Sequence, residues 1–193
     1  VGNFYTNIVL RGVSEDAVAD VLVRLGRKAL VVSYERGLVF VYDEEADTQV
    51  EGVVESLALT LATELTCPAM ASLNQDDDVL LLWLYDAKGT EWRSAWGVKS
   101  EGDERPLSLR QFAKQAKAMF DLTAAEDDVD SASGGLLGVA FGIVTRRIFA
   151  VAQHDSVLRY VGIPVEPATL GHRYVSQGDL TARDSSRRVR RVQ

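Results

Sequence analysis

Lys28-Ala-Leu-Val-Val-Ser-Tyr34, Glu35-Arg36-Gly37 and Leu38-Val-Phe-Val-Tyr42 together decide the fold. Two runs rich in Val, Leu and aromatic residues flank a turn-forming tripeptide, the pattern of a β-hairpin. On the N-terminal side, Tyr5-Thr-Asn-Ile-Val-Leu-Arg11 has the composition of another strand. Between the two, Ser14 suits an N-cap, and Glu15 and Asp16 suit the positive end of a helix dipole. Val13 and Val18 stand at the positions of a hydrophobic staple. Ala17, Val18, Val21, Leu22 and Leu25 share one helical face, which Gly26 brings to a stop. Beyond the hairpin, Val50, Val53, Val54, Leu57, Leu61 and Leu65 predict a second helix over 48–65, and Pro68 prevents its continuation. Residues 69–73 then read as a short strand. The order strand, helix, strand, strand, helix, strand predicts an α+β chain with a ferredoxin-like βαββαβ core, its helices on one face of an antiparallel sheet.

Further out, residues 79–85 are apolar on both faces, as in a strand covered on both sides. Asp86-Ala-Lys-Gly89 is a turn, and 90–96 returns as the second arm of a hairpin that extends the core. The polar stretch 97–106 reads as a loop. Ser108 and Gln111 form a capping box opening a helix over 109–120, whose stripe is Leu109, Phe112, Ala113, Ala116, Met119 and Phe120. An acidic linker over 121–135, an apolar helix over 136–144, a strand over 148–152 and a short helix over 156–161 complete the reading. The resulting division is an α+β sheet domain over 1–96, a mainly helical part over 97–182 packed on it, and a basic tail over 183–193.

The chain has 193 residues, of which 47% are hydrophobic and 25% charged, close to globular averages. No apolar run approaches the length of a membrane span, and the opening residues show neither a basic n-region nor an apolar h-region. A single cysteine, Cys67, fits a reducing compartment, so a cytoplasmic location is expected. Sixteen arginines against five lysines suggest a GC-rich bacterial coding sequence. The net charge of −7 is unevenly placed, because the tail that includes Arg183 and Arg191 holds five arginines against one aspartate. The acidic remainder argues against a broad nucleic-acid surface, leaving only the tail as a polyanion-binding arm.

The richest chemistry lies in Asn74-Gln75-Asp76-Asp77-Asp78. Consecutive carboxylates repel one another, and a hard divalent cation relieves that repulsion with oxygen ligands it favours. In an extended chain Asp76 and Asp78 point the same way and can share one ion; the competing reading is a solvated turn. His154, ahead of Asp155 at a helix start, is expected to be exposed or capping. His172, between Gly171 and Arg173 in a loop, is the better binding candidate. Trp96, at a strand end beside a polar loop, is placed to line a cleft. Cys67 reads as a buried, inert thiol. Gly134-Gly135-Leu136-Leu137-Gly138 offers backbone N–H groups to a phosphate but lacks the lysine of a P-loop.

Several segments together carry a likeness. They are Asn3-Phe4-Tyr5-Thr6-Asn7, Val41-Tyr42-Asp43-Glu44, Cys67-Pro68-Ala69-Met70-Ala71 and Leu73-Asn74-Gln75-Asp76-Asp77-Asp78-Val79-Leu80. Later come Phe149-Ala150-Val151, His154, Gly162-Ile163-Pro164, Gly171-His172-Arg173-Tyr174 and Gly178-Asp179-Leu180. In these the chain resembles a family of uncharacterised bacterial cytosolic proteins, a likeness that implies no activity, cofactor or catalytic residue. Trp96-Gly97-Val98-Lys99-Ser100 departs from that pattern. The functional expectation is a non-catalytic cytosolic binding or interaction protein, with a protein partner or a second copy as its target. Ligand candidates are Asn74, Trp96, His172 and Arg173. The alternative is a metal-assisted hydrolase using the Asp76–Asp78 cluster, with Asp76 and Asp78 holding a divalent cation.

Overall fold

Burial on both faces of one sheet organises the chain. The computed structural model describes residues 3–98, 106–122, 149–178 and 189–193. Seven strands form the sheet: β1 (Tyr5–Arg11), β2 (Ala29–Tyr34), β3 (Leu38–Asp43), β4 (Ala69–Gln75), β5 (Val79–Tyr85), β6 (Glu91–Trp96) and β7 (Val189–Val192). Their order is β6-β5-β4-β1-β3-β2-β7, with every neighbouring pair antiparallel. The β2–β3 connection is the short turn read from Glu35-Arg36-Gly37, with Arg36 at φ 59° and Gly37 at φ 68°.

Alternation along the strands sends Ile8, Leu10, Val31, Val41, Ala71, Leu81 and Trp83 to one face. There α1 (Glu15–Arg24) and α2 (Glu51–Glu64) cover them. Ser14 caps α1, its hydroxyl accepting from the Ala17 N–H at 3.2 Å. Val9, Leu30, Phe40, Met70, Leu80 and Leu82 line the other face. Against it pack α3 (Leu109–Phe120), α4 (Ala150–Val161), α5 (Val165–Ala168) and α6 (His172–Ser176). The capping box of Ser108 and Gln111 opens α3 as read. No helix among the described residues is long and apolar enough to cross a membrane.

Several expectations need adjusting. The helices do not all share one face, because a sheet with apolar side chains on both sides requires two covering layers. The sheet also extends beyond residue 96, since residues 189–192 of the basic tail supply its edge strand on β2, with Ala29 opposite Val192 and Val32 opposite Val189. Arg190 meets Asp16 of α1, so the tail docks on the acidic body at that point. Ala150 to Ala152 open α4 instead of forming a strand, because Ala150, His154, Val157, Leu158 and Val161 make a buried stripe at helical spacing. The expected helix over 136–144, the glycines at 134, 135 and 138 and most of the acidic linker lie outside the described residues.

Polar side chains fix the second layer. Asn7, buried in the middle of β1, donates through Nδ2 to the carbonyls of Ala168 (2.8 Å) and Leu170 (2.9 Å). Its Oδ1 accepts from Ser72 Oγ at 3.1 Å. Tyr42 Oη donates to Pro167 O at 2.9 Å. Asn7→Ala therefore strands two carbonyls and a hydroxyl, and the expected loss is about 2–4 kcal/mol in urea-induced unfolding. Hydrogen exchange should quicken first over residues 163–176; a uniform change over all helices would contradict the local role of Asn7.

Candidate functional site

Strand direction brings the sequence-derived candidates to one end of the sheet but distributes them across it. β1 begins where β4 ends, with Tyr5 opposite Asn74, and β3 ends where β2 begins, with Asp43 opposite Ala29. Asn74 is buried there, donating through Nδ2 to Asn3 O (2.9 Å) and Asp77 Oδ1 (3.2 Å). Asp77 Oδ2 also accepts from the Asn3 backbone and side chain, both at 3.3 Å, while its carbonyl accepts from Ala150 N at 2.8 Å. The middle aspartate thus ties the β4–β5 turn to the chain start and to α4.

Asp76 and Asp78 are exposed on that turn, where Asp76 and Asp77 adopt φ of 53° and 59°. Among the described residues no group of three or more His, Cys, Asp and Glu side chains is placed to hold an ion. Trp96 pairs with Leu80 at the end of β6 and is half-buried against the α3–α6 face. Gly97 beside it is obligatory, because a Cβ there would stand 1.8 Å from Asp78 O. His172 and Arg173 lie on the other side of β1. His172 lines a groove with Lys28 and Leu30 at β2, whereas the aspartate turn joins β4 to β5 on the opposite side of β1.

His154 corrects the sequence reading most sharply. It is fully buried inside α4, and its Nδ1 lies 2.8 Å from Tyr5 Oη with the rings stacked at 5.7 Å. Its Nε2, together with Asn74 Oδ1 and Asp155 Oδ1, is buried without a hydrogen-bond partner among the described residues. Burial pulls the His154 pKa down to about 3 and, with the charges of Asp155 and Asp77, raises that of the Tyr5 phenol. Both are neutral at pH 7, and neither reaches solvent. The pair joins β1 to α4. Cys67 is equally inert, because burial pushes its thiol up to about 11.

One open site among the described residues lies at the corner of β2, β3, β7 and α6. A groove of about 310 Å³ is lined by Lys28, Leu30, Glu44, His172, Ser176 and Arg191, among others. Asp47 fixes the start of α6, accepting from Arg173 N at 3.2 Å. Gly171 lets it approach, since a Cβ there would come within 2.4 Å of Asp47 Oδ1. Burial raises the Asp47 pKa, opposed by the backbone N–H groups of Arg173 and His172 and by their charges. Of the sequence-derived residues, His172 and Arg191 of the basic tail line this groove. Lys28 and Glu44 were missed, although they adjoin the paired ends of the central hairpin, a signal present in the sequence.

No protein-family model matches the chain, and no curated protein and no solved structure matches it.

The buried imidazole makes a pH prediction. Its folded pKa is depressed, so its contribution to stability is present above the unfolded value near 6.5 and is lost as pH falls toward 3. Between pH 6.5 and 4.5 this amounts to about 2–3 kcal/mol. Burial raises the Asp155 and Asp47 carboxyls instead, so their strain at neutral pH eases as they protonate and partly offsets the loss. In urea unfolding at pH 7 and 4.5, His154→Gln should lose about 2–3 kcal/mol less than wild type on acidification. Equal losses would contradict a neutral buried His154.

Proposed function

We propose that the protein is a non-catalytic, cytosolic interaction protein, built on a ferredoxin-like core, that receives an extended acidic segment of a partner along the edge of β7. The observation that carries this reading is the edge itself. Among the described residues β7 pairs with β2 on one side and ends the sheet order on the other, which offers its outer main chain as a template for an added strand. Arg191, beside an Arg190 that shares its charge with Asp16, gives that edge a positive character in a chain of net charge −7. A second copy adding through the same edge sets arginine against arginine, which is destabilising across a strand pair. An acidic strand meets opposite charge instead, so the arginines repel one partner class and attract the other. The likeness to bacterial cytosolic proteins agrees with this setting and brings no activity with it.

A fluorescein-labelled peptide of alternating Val and Glu should bind in anisotropy titrations, and its lysine counterpart should not. Raising salt from 50 to 500 mM should weaken binding at least tenfold. Amide protection should rise at residues 189–192. Equal binding of both peptides, or self-association through β7 in sedimentation, would overturn the reading.

A further inference from the structure

We propose that the groove between the β2–β7 corner and α6 is a binding site for a small oxyanion, a carboxylate or phosphate group, on a ligand that also carries a hydrogen-bond donor. The inference uses the sheet face rather than the outer main chain of β7, and it stands whether or not a strand is added there.

Register supplies the argument. Arg191 stands directly opposite Leu30, and Glu44 N bonds Lys28 O at 2.9 Å, so Lys28 and Glu44 extend the β2–β3 ladder by one step. Lys28, Leu30, Glu44 and Arg191 line the groove from the sheet, while His172 and Ser176 line it from α6. Leu30 is buried and provides an apolar floor. Lys28, Glu44 and Arg191 are exposed, and none forms an ion pair within 4 Å among the described residues. Lys28 and Glu44, though cross-strand neighbours, thus leave each other's charge unspent.

Two cations and an imidazole bordering an apolar floor attract one oxyanion, in a body that otherwise repels anions. Glu44 then sets the second requirement. Its carboxylate opposes a bare polyanion and accepts from a hydroxyl or ammonium group on the same ligand. His172 is held at the rim because Asp47 engages the start of α6.

The experiment is an amide NMR titration of the full chain with inorganic phosphate, acetate and O-phosphoserine. Chemical-shift changes should centre on residues 28–30, 172 and 191. O-phosphoserine should bind more tightly than phosphate, which supplies the oxyanion alone. Acetate binding as tightly as phosphate would assign the site to carboxylates, and a phosphate preference would assign it to phosphoryl groups; either supports the proposal. Lys28→Ala should weaken all three ligands at least tenfold. Glu44→Gln should tighten phosphate severalfold and weaken O-phosphoserine. These side chains are exposed, and an unchanged thermal midpoint confirms that the variants fold. Shifts spread evenly over distant arginines such as Arg11 and Arg36, indifference to Lys28→Ala, or both ligands moving the same way in Glu44→Gln would overturn it.

Discussion

A carboxamide in the middle of the central strand sets the arrangement of the molecule. Asn7 lies on β1, where apolar side chains on either side leave no access to water. Among the described residues its amide is satisfied by the carbonyls of Ala168, at the end of α5, and of Leu170, and by Ser72 on β4. Hydrophobic burial is non-directional and holds helices against a sheet without specifying their register. Hydrogen bonds from Asn7, Tyr42 and Tyr5 supply that direction, each tying a different strand or strand position to the second layer. One layer is thus held mainly by aliphatic packing of α1 and α2, and the other is pinned at polar points.

The polar groups divide by role as well as by place. Those at the centre of the α3–α6 face are spent on structure, and His154 is kept neutral there by burial alone. Those at the β2–β7 corner remain in contact with solvent. The ion pairs of Arg27 with Asp43 and Glu45 lie close by and anchor the same hairpin end from the opposite face. Asp43 also accepts from Ala46 N at 2.7 Å, shaping the turn that delivers Asp47 to α6. One strand end therefore builds both the anchor and the groove.

Much of the fold was legible because its signals are local. Ser14 and the Ser108–Gln111 box mark helix starts within three residues, and the β2–β3 turn is marked by Arg36-Gly37. The α+β class and six of the strands follow from such marks. What escaped depends on distant partners. Val189-Arg190-Arg191-Val192 has only its end residues apolar, and it is a strand because β2 offers an edge. His154 reads as surface until α4 is known to begin at Ala150, which moves it onto the buried stripe. Asn74 was singled out for ligand chemistry, and its bonds to Asn3 and Asp77, which hold the turn, were not read. Polar residues inside apolar strands, such as Asn7, carried the unread signal.

The position of β7 also orders events during synthesis. Val192 closes on Ala29, roughly 160 residues earlier in the chain. At about 5–20 residues per second, the edge strand leaves the ribosome about 8–30 s after the strand that awaits it. Apart from Val192, the α1–α2 side of the sheet is made long before then, whereas Val9, Phe40 and Met70 wait for α3 to α6 to be made. A nascent chain of this design carries a nearly finished face and a bare one together, and the bare face is covered only when the later helices arrive.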